Sequence, residues 1–284
     1  MDQHGDELVD LLQLLYQDVP FKQHGAGEEQ QSDVQLSSRV EQESQNWQRN
    51  SLSSGMQIRA DAGREQRKGV PEVIFGETKA VPQIIAMAQT LLDGSGRAII
   101  SRVQPEAMVS LRAAFQAYAV NVREAARAMV IYKPDYVRRS TGGHVGIISA
   151  GTSDIPVAEE AALIAEEMGC RVTCIYDVGV AGLHRLIEPL RNLLSTEVDA
   201  IIVAAGMDGA LPSVVTGLVP VPVIGLPTSI GYGLGGKGVA ALLAMLQTCA
   251  PGLTVVNIDN GVGAGSTAAL IANRVAQARE HHTQ

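Results

Sequence analysis

The stretch AIIVAAGMDGALP (residues 200–212) decides how this chain is read. Ala200 to Ala205 run without a polar interruption, break at Gly206-Met207-Asp208-Gly209, and are followed by a new apolar segment from Ala210-Leu211-Pro212. A short, uninterrupted aliphatic run suits a strand covered on both faces, and a glycine-bearing polar tip suits the end where an open parallel sheet gathers its chemistry. Working outward, the same construction recurs. His144 to Ala150 runs into Gly151-Thr152-Ser153-Asp154, and Arg171 to Val178 runs into Gly179, Gly182 and His184-Arg185. Val221 to Gly225 runs into Leu226-Pro227-Thr228-Ser229, and Thr254 to Ile258 into Asp259-Asn260-Gly261. Helices are predicted between and after these runs, over 157–168, 182–194, 208–217, 237–248 and 263–279. The alternation predicts an α/β fold: a three-layer, flavodoxin-like or Rossmann-like domain around a parallel sheet with right-handed crossovers, over residues 141–284.

Upstream, residues 56–140 read as a smaller α/β domain. Val73 to Phe75, Ala98 to Val103 and Ala128 to Tyr132 are strand-like. Val81 to Leu92 presents Ile84, Ile85, Ala88 and Leu92 at helical spacing, and Pro105 opens a second predicted helix running to about Tyr118. The polar segment Lys133 to Gly143, with Pro134 and Gly142-Gly143, marks the boundary between the two domains. Residues 1–55 differ: Asp6 to Tyr16 fits a short amphipathic helix, and Gly25 to Gly55 is rich in Gln, Glu and Ser with few large aliphatics. Such a composition buries too little surface to offset the entropy of ordering and is predicted to be disordered or weakly helical.

The bulk numbers exclude several classes. A net charge of −8 and a pI near 5.3 oppose nucleic-acid binding and a cationic membrane-surface helix. No run is long and uncharged enough for a membrane span, and the N-terminus has neither the basic start nor the apolar core of a signal peptide. Three cysteines, Cys170, Cys174 and Cys249, do not make a disulfide framework, so a reducing, cytoplasmic setting is expected.

Each tip has a structural as well as a chemical reading. Ser153 or Asp154 could cap the helix that follows, or Gly151 to Asp154 could hold a phosphate on backbone amides and hydroxyls. Gly231 to Lys237 has phosphate-loop spacing, but Gly238 stands where the magnesium-binding hydroxyl would be, which favours a glycine-rich lid with Lys237 entering a helix. Gly261-Val262-Gly263-Ala264-Gly265 has dinucleotide-type spacing but lies too near the end of the chain for a full unit, so tight strand-to-helix packing accounts for it. Cys170 and Cys174 lack the further ligands of a zinc site and are expected to be buried. Cys249, at a predicted helix end in Thr248-Cys249-Ala250-Pro251-Gly252, and His184, at a strand-to-helix turn, are open to either reading.

Taken in order, Gly151 to Asp154, Gly182-Leu183-His184-Arg185, Gly206 to Pro212 and Pro222 to Gly225 resemble the aminoimidazole ribonucleotide carboxylase and mutase (PurE) family of purine synthesis. Three further segments are similar to a related family, LarB of nickel-pincer nucleotide synthesis. These are Ile155 to Ala161, the stretch around Cys249 with Val256 to Gly261, and Asp61, Arg64 and Gly69 to Glu77. The resemblance covers about residues 57–278, with Asp208 where the family usually has glutamate.

What the resemblance implies is carboxylation of the pyridinium ring of nicotinic acid adenine dinucleotide by CO2 or bicarbonate, with phosphoanhydride cleavage that releases AMP; the alternatives are an aminoimidazole ribonucleotide carboxylase or mutase and a non-catalytic nucleotide-binding module. It further implies Cys249 as nucleophile, His184 or Asp208 as proton acceptor, and a homo-oligomer. A substrate-binding set follows from the same motifs: Gly151, Thr152, Ser153, Asp154, Arg185, Gly206, Met207, Thr228, Ser229 and Lys237. A thiolate adding to the ring explains why neither biotin nor ATP is expected. Mg2+ could assist the cleavage, with Asp208 or Asp259 as its ligands, though no spacing defines a metal site.

Overall fold

The computed structural model describes residues 60–282. The helix expected over Asp6 to Tyr16 and the polar region through Gly55 lie outside the described residues. Both sheets belong to one compact unit.

The smaller sheet contains β1 (Val73–Phe75), β2 (Arg97–Ser101), β3 (Ala119–Arg123) and β4 (Ala128–Tyr132) in the order β1-β2-β4-β3. β1 and β2 are parallel, and the other two pairings are antiparallel. Three helices accompany it: α1 (Arg64–Lys68), α2 (Val81–Ser95) and α3 (Pro105–Ala114). Proline in the first turn starts both α2 and α3, and Gly96 ends α2 in the left-handed region (φ 78). Ile84, Leu91 and Leu92 of α2 and Leu111 of α3 cover one face of this sheet, against Ile74, Ile100 and Met129. The helix predicted to reach Tyr118 stops at Ala114, and β3 occupies the stretch that had no predicted strand. Val120 and Val122 alternate along this edge strand and pair with Ile131 and Met129 of β4.

The larger sheet is wholly parallel, ordered β6-β5-β7-β8-β9. Its strands are β5 (His144–Ser149), β6 (Arg171–Ile175), β7 (Ala200–Ala205), β8 (Val223–Pro227) and β9 (Leu253–Val255). The first strand lies inside the sheet, so connections leave β5 in one direction and β7 in the other, and a crevice opens at the carboxyl ends of these two neighbours. The expected helices are α4 (Ile155–Glu167), α5 (His184–Leu194), α6 (Ala210–Thr216), α7 (Val239–Leu246) and α8 (Gly261–His282).

Alternate residues of each central strand serve opposite faces. Ile147, Ile202 and Ile224 face α4 and α8, and the same cluster takes in Val73, Ile99 and Val130 of the smaller sheet. Ile148, Ile201, Val203 and Val223 face α5, α6 and α7. Full burial on both faces holds for β5, β7 and β8 and fails at the edge strands β6 and β9. Cys170 is buried as expected; Cys174 is exposed, because β6 is an edge strand. The glycines that open α8 serve helix-to-helix packing, not strand-to-helix packing: a Cβ on Gly265 would meet the Ala161 carbonyl oxygen of α4 at 2.4 Å.

Candidate functional site

Four strand tips and the turn after β9 converge at the carboxyl edge of the larger sheet. Asp154 is the partner that three of these tips share. It closes a short 3-10 turn (Thr152–Asp154) and is 4% exposed. One carboxylate oxygen accepts the Gly151 N–H at 2.8 Å, and the other accepts the Thr228 hydroxyl at 2.6 Å. Burial pushes its pKa above the ordinary carboxylate range; the Thr228 hydroxyl and the Gly151 and Gly206 amides oppose that rise, and the charge of Asp259 adds to it. The side chain therefore ties the tips of β5, β7 and β8 together, and both of its oxygens are engaged within the protein.

Gly206, at the end of β7, is indispensable for this closeness. A Cβ there would stand 2.1 Å from the Ile230 carbonyl oxygen and 2.8 Å from the Thr228 hydroxyl. Met207 follows in the left-handed region (φ 51), and its N–H donates to the Ile230 carbonyl at 2.9 Å. Asp208 is exposed, with its carboxylate toward the Ala210 N–H at 3.4 Å. Thr228 is fully buried, whereas Ser229 is exposed and its N–H donates to the Asp259 carboxylate at 2.8 Å. Asp259 itself is left-handed (φ 55), as is Asp177 beyond β6 (φ 59). Such backbone is uncommon for residues other than glycine and concentrates where tips must turn sharply.

On the β6 side, Gly179 packs against the Ala150 carbonyl oxygen, which brings the His184-Arg185 tip beside that of β5. His184 begins α5 and is exposed; Arg185 donates to the Asp177 carboxylate at 2.8 Å. Thr152, Ser153 and Lys237 are exposed on the same edge, Lys237 at the end of the glycine-rich loop (φ 60). The crevice thus offers hydroxyls, amides, an imidazole, a carboxylate and an ammonium around a buried acid, a donor set suited to a phosphorylated, anionic ligand. Asp208 and Asp259 do not converge with a third ligand: among the described residues no group of three or more His, Cys, Asp or Glu is arranged to hold a metal ion.

Cys249 is placed elsewhere. It is exposed and free, between the end of α7 and the start of β9. Gly252 already accepts the Val223 N–H at the first residue of β8, so Cys249 belongs to the amino edge of the sheet. The five residues of β8 separate that edge from the crevice by about 15 Å. Hydrogen bonds bring Gly151, Asp154 and Thr228 together, His184, Asp208 and Lys237 are exposed at the same edge, and the thiol lies at the opposite one.

Two family profiles cover this architecture. One described as LarB/PurE-like N-terminal domain matches residues 54–133, and one described as AIR carboxylase matches residues 144–284. An uncharacterized protein of Methanocaldococcus jannaschii is 43% identical over 218 residues, which is 76% of this chain and 84% of that relative. The chain belongs to the LarB family. The family is related to the carboxylases and mutases of purine synthesis and shares their PurE-like domain. The N5-carboxyaminoimidazole ribonucleotide mutase of Thermotoga maritima is 33% identical over 134 residues, 45% of this chain and 73% of the mutase. That of Pyrococcus abyssi is 34% identical over 132 residues, 45% of this chain and 70% of the mutase.

The LarB-type N-terminal domain brings one residue, Arg102, against Glu160 of the larger domain, a pair that sequence reasoning did not single out. Arg102, just past β2, donates to Glu160 of α4 and to the backbone carbonyl of Asp259. Glu160 stood in a quoted motif with no role attached. Arg102 carried no signal beyond being a charge inside a strand-like run. Among the described residues no helix is long and apolar enough to cross a membrane.

Proposed function

We propose that this protein carboxylates the pyridinium ring of nicotinic acid adenine dinucleotide with CO2 and hydrolyses its phosphoanhydride, giving a pyridinium-3,5-dicarboxylate mononucleotide and AMP for nickel-pincer cofactor synthesis. The observation that carries this reading is the union of a LarB-type N-terminal domain with an AIR carboxylase domain whose strand tips gather around Asp154.

A pyridinium is electron-poor and does not attack CO2. Addition of the Cys249 thiolate forms a C–S bond and moves an electron pair onto the ring nitrogen, which leaves an enamine. The enamine carbon attacks CO2 and forms the C–C bond. A base, His184 or Asp208, removes the proton from that carbon, and expulsion of the thiolate restores the aromatic ring. Water then displaces AMP from the phosphoanhydride. No oxidant, biotin or ATP enters, and no step is drawn through magnesium. Gly151, Thr152, Ser153, Arg185, Gly206, Met207, Thr228, Ser229 and Lys237 bind the nucleotide on this reading, while Asp154 holds the tips that carry them.

On this reading the amino-edge position of Cys249 supports a homo-oligomer in which the thiol entering a crevice comes from a partner protomer. The competing reading is a ribonucleotide mutase of purine synthesis. It is favoured by the similarity to the mutases over the PurE-like domain and by the position of His184, at the edge of the Asp154 tips and opposite to that of the thiol.

Mass spectrometry of small molecules after incubation with nicotinic acid adenine dinucleotide and bicarbonate, with and without magnesium, separates the two. A dicarboxylated mononucleotide plus AMP, absent with Cys249→Ser, is expected. Turnover of N5-carboxyaminoimidazole ribonucleotide instead, undiminished in Cys249→Ser, would overturn the carboxylase reading in favour of the mutase.

A further inference from the structure

Arg102 lies in the left-handed backbone region (φ 55) just past the end of β2. Its Nε donates to a Glu160 carboxylate oxygen at 3.1 Å, and one Nη donates both to Glu160 and to the Asp259 carbonyl. Glu160 is buried, also accepts the Ser101 hydroxyl, and packs so tightly on Gly261 that a Cβ there would stand 2.6 Å from its carboxylate. Two segments of the larger domain, α4 and the turn at Asp259, are thus joined through one guanidinium of the smaller sheet.

The other side of that turn reaches the glycine-rich loop at both ends. The Asp259 N–H donates to the Pro227 carbonyl and its carboxylate accepts the Ser229 N–H, each at 2.8 Å. Ser229 is where the loop leaves β8. Gly238, where it enters α7, sits against Ile258 and the Thr228 carbonyl so closely that an added Cβ would lie 2.7 and 2.8 Å away. The turn at 258–259 clamps the start and the end of residues 229–238, and Arg102 clamps the turn.

We propose that Arg102 is a positioning residue: through the turn at 258–259 it fixes both ends of the glycine-rich loop that carries Lys237. A planar fork is required, because one side chain must serve a carboxylate and a carbonyl at once, which a single ammonium does not reproduce. This gives the N-terminal domain of the family a role in the site without its touching the reacting atoms. The consequence for turnover rests on the carboxylase reading above; the anchoring does not.

Hydrogen exchange followed by mass spectrometry on the full-length protein tests it without any substrate. Arg102→Lys retains the charge that Glu160 needs for folding. The double variant Arg102→Met/Glu160→Gln removes cation and anion together, and Arg112→Met, whose partner is Glu124, serves as a control away from this network. Peptides spanning 228–238 and 257–262 are expected to exchange about tenfold faster in both Arg102 variants, with α2 and β5 unchanged. Wild-type exchange in those peptides, in a folded Arg102→Lys protein, would sink the proposal. With an active wild type, KM for the dinucleotide is expected to rise about tenfold in Arg102→Lys while kcat changes less. Faster exchange with an unchanged KM would overturn the positioning role. A wild type that turns over no dinucleotide defeats the carboxylase reading alone, since the exchange result still decides the anchor.

Discussion

The two edges of the larger sheet are built from opposite materials. At the carboxyl edge, small residues and left-handed backbone let the tips approach each other, and His184, Asp208 and Lys237 point outward around a buried acid. At the amino edge, charge is consumed internally. Asp199 is buried, accepts the His144 N–H at 2.8 Å and pairs with both terminal nitrogens of Arg279 at 2.7 and 3.0 Å. Arg171 donates to the Thr196 carbonyl at 3.0 Å and to the His144 ring at 2.9 Å. A parallel sheet sends every strand in one direction, so helix N-termini and their unpaired amides collect at one edge only. Chemistry is placed there and bracing at the other. Cys249 is the exception, a free thiol on the braced edge.

The largest effect comes from testing whether that exception is real. Cys249→Ser and the crevice variant Asp154→Ala are each expected to lose at least about a thousandfold in turnover, as removal of a nucleophile or of the group that assembles a site does. Mixed under conditions that exchange subunits, the two should recover about a quarter of wild-type activity, the statistical share of sites that pair an intact crevice with an intact thiol from another copy. Exchange without recovery would break the comparison, because thiol and crevice would then have to belong to one chain.

Gly206→Ala addresses the carboxyl edge alone. The added methyl meets the Ile230 carbonyl and the Thr228 hydroxyl, neither on a flexible side chain, so the tip must move. Overpacking of this kind costs about 1–3 kcal/mol, measurable as a lower midpoint in denaturant at unchanged slope, with turnover falling as well. Gly236→Ala, whose nearest neighbour is the Gly233 carbonyl at 3.6 Å, should stay within about 0.5 kcal/mol of wild type. Equal midpoints for the two variants would show that the tips are looser than their packing implies.

These contrasts also show what the sequence disclosed. The central strands were legible because Ile147-Ile148, Ala200 to Ala205 and Val223-Ile224 are covered on both faces, which leaves no position for a polar residue. Edge status was not legible, since a strand lacking one neighbour is written in nearly the same residues; hence Cys174 was expected inside. β3 was missed because its two exposed and three half-buried residues owe their conformation to pairing with β4. The placement of the motif residues at strand tips was readable from composition, but the link from Arg102 to Glu160 joins residues 58 apart and leaves no local pattern. The edge assignment of Cys249 could have been read: a residue immediately before a parallel strand lies at the opposite edge from residues immediately after one.

Thiol chemistry sharpens the comparison on a smaller scale. Burial pushes the Cys170 thiol up to about 11, and its side chain is enclosed by α8. Cys174 is exposed but also raised, chiefly by burial of its thiol against neighbours of β6. Alkylation near pH 8 is expected to modify Cys249 first and Cys174 more slowly, and Cys170 only on unfolding. Protection of Cys249 in the oligomer that is relieved on dissociation would locate it at a contact between copies. Rapid labelling of Cys170 would contradict the packing of α4 and α8.

The smallest effect belongs to His144, and it reports on the amino edge alone. Arg171 donates to its Nδ1, so that nitrogen is an acceptor and Nε2–H donates to the Thr173 hydroxyl at 2.9 Å. Burial first, and then the Arg171 charge, hold its pKa below the ordinary imidazole value, with Arg279 acting in the same sense and the Thr196 carbonyl and Asp199 opposing. The folded state therefore keeps His144 neutral where the unfolded chain takes up a proton, so stability is intact above about pH 6.5 and falls as pH drops through that value toward the folded pKa. Carboxylates lose stability over an overlapping acid range, but that loss is common to wild type and His144→Gln and cancels in their difference. The difference in unfolding free energy between pH 8 and pH 5.5 should shrink in the variant while turnover at pH 8 is unaffected, because the braced edge takes no part in the crevice of its own chain. A variant that keeps the full wild-type pH slope would mean that His144 is protonated in the folded protein, and a variant that loses turnover at pH 8 would mean that the amino edge acts on catalysis, through the sheet or through the thiol it offers to a partner's crevice.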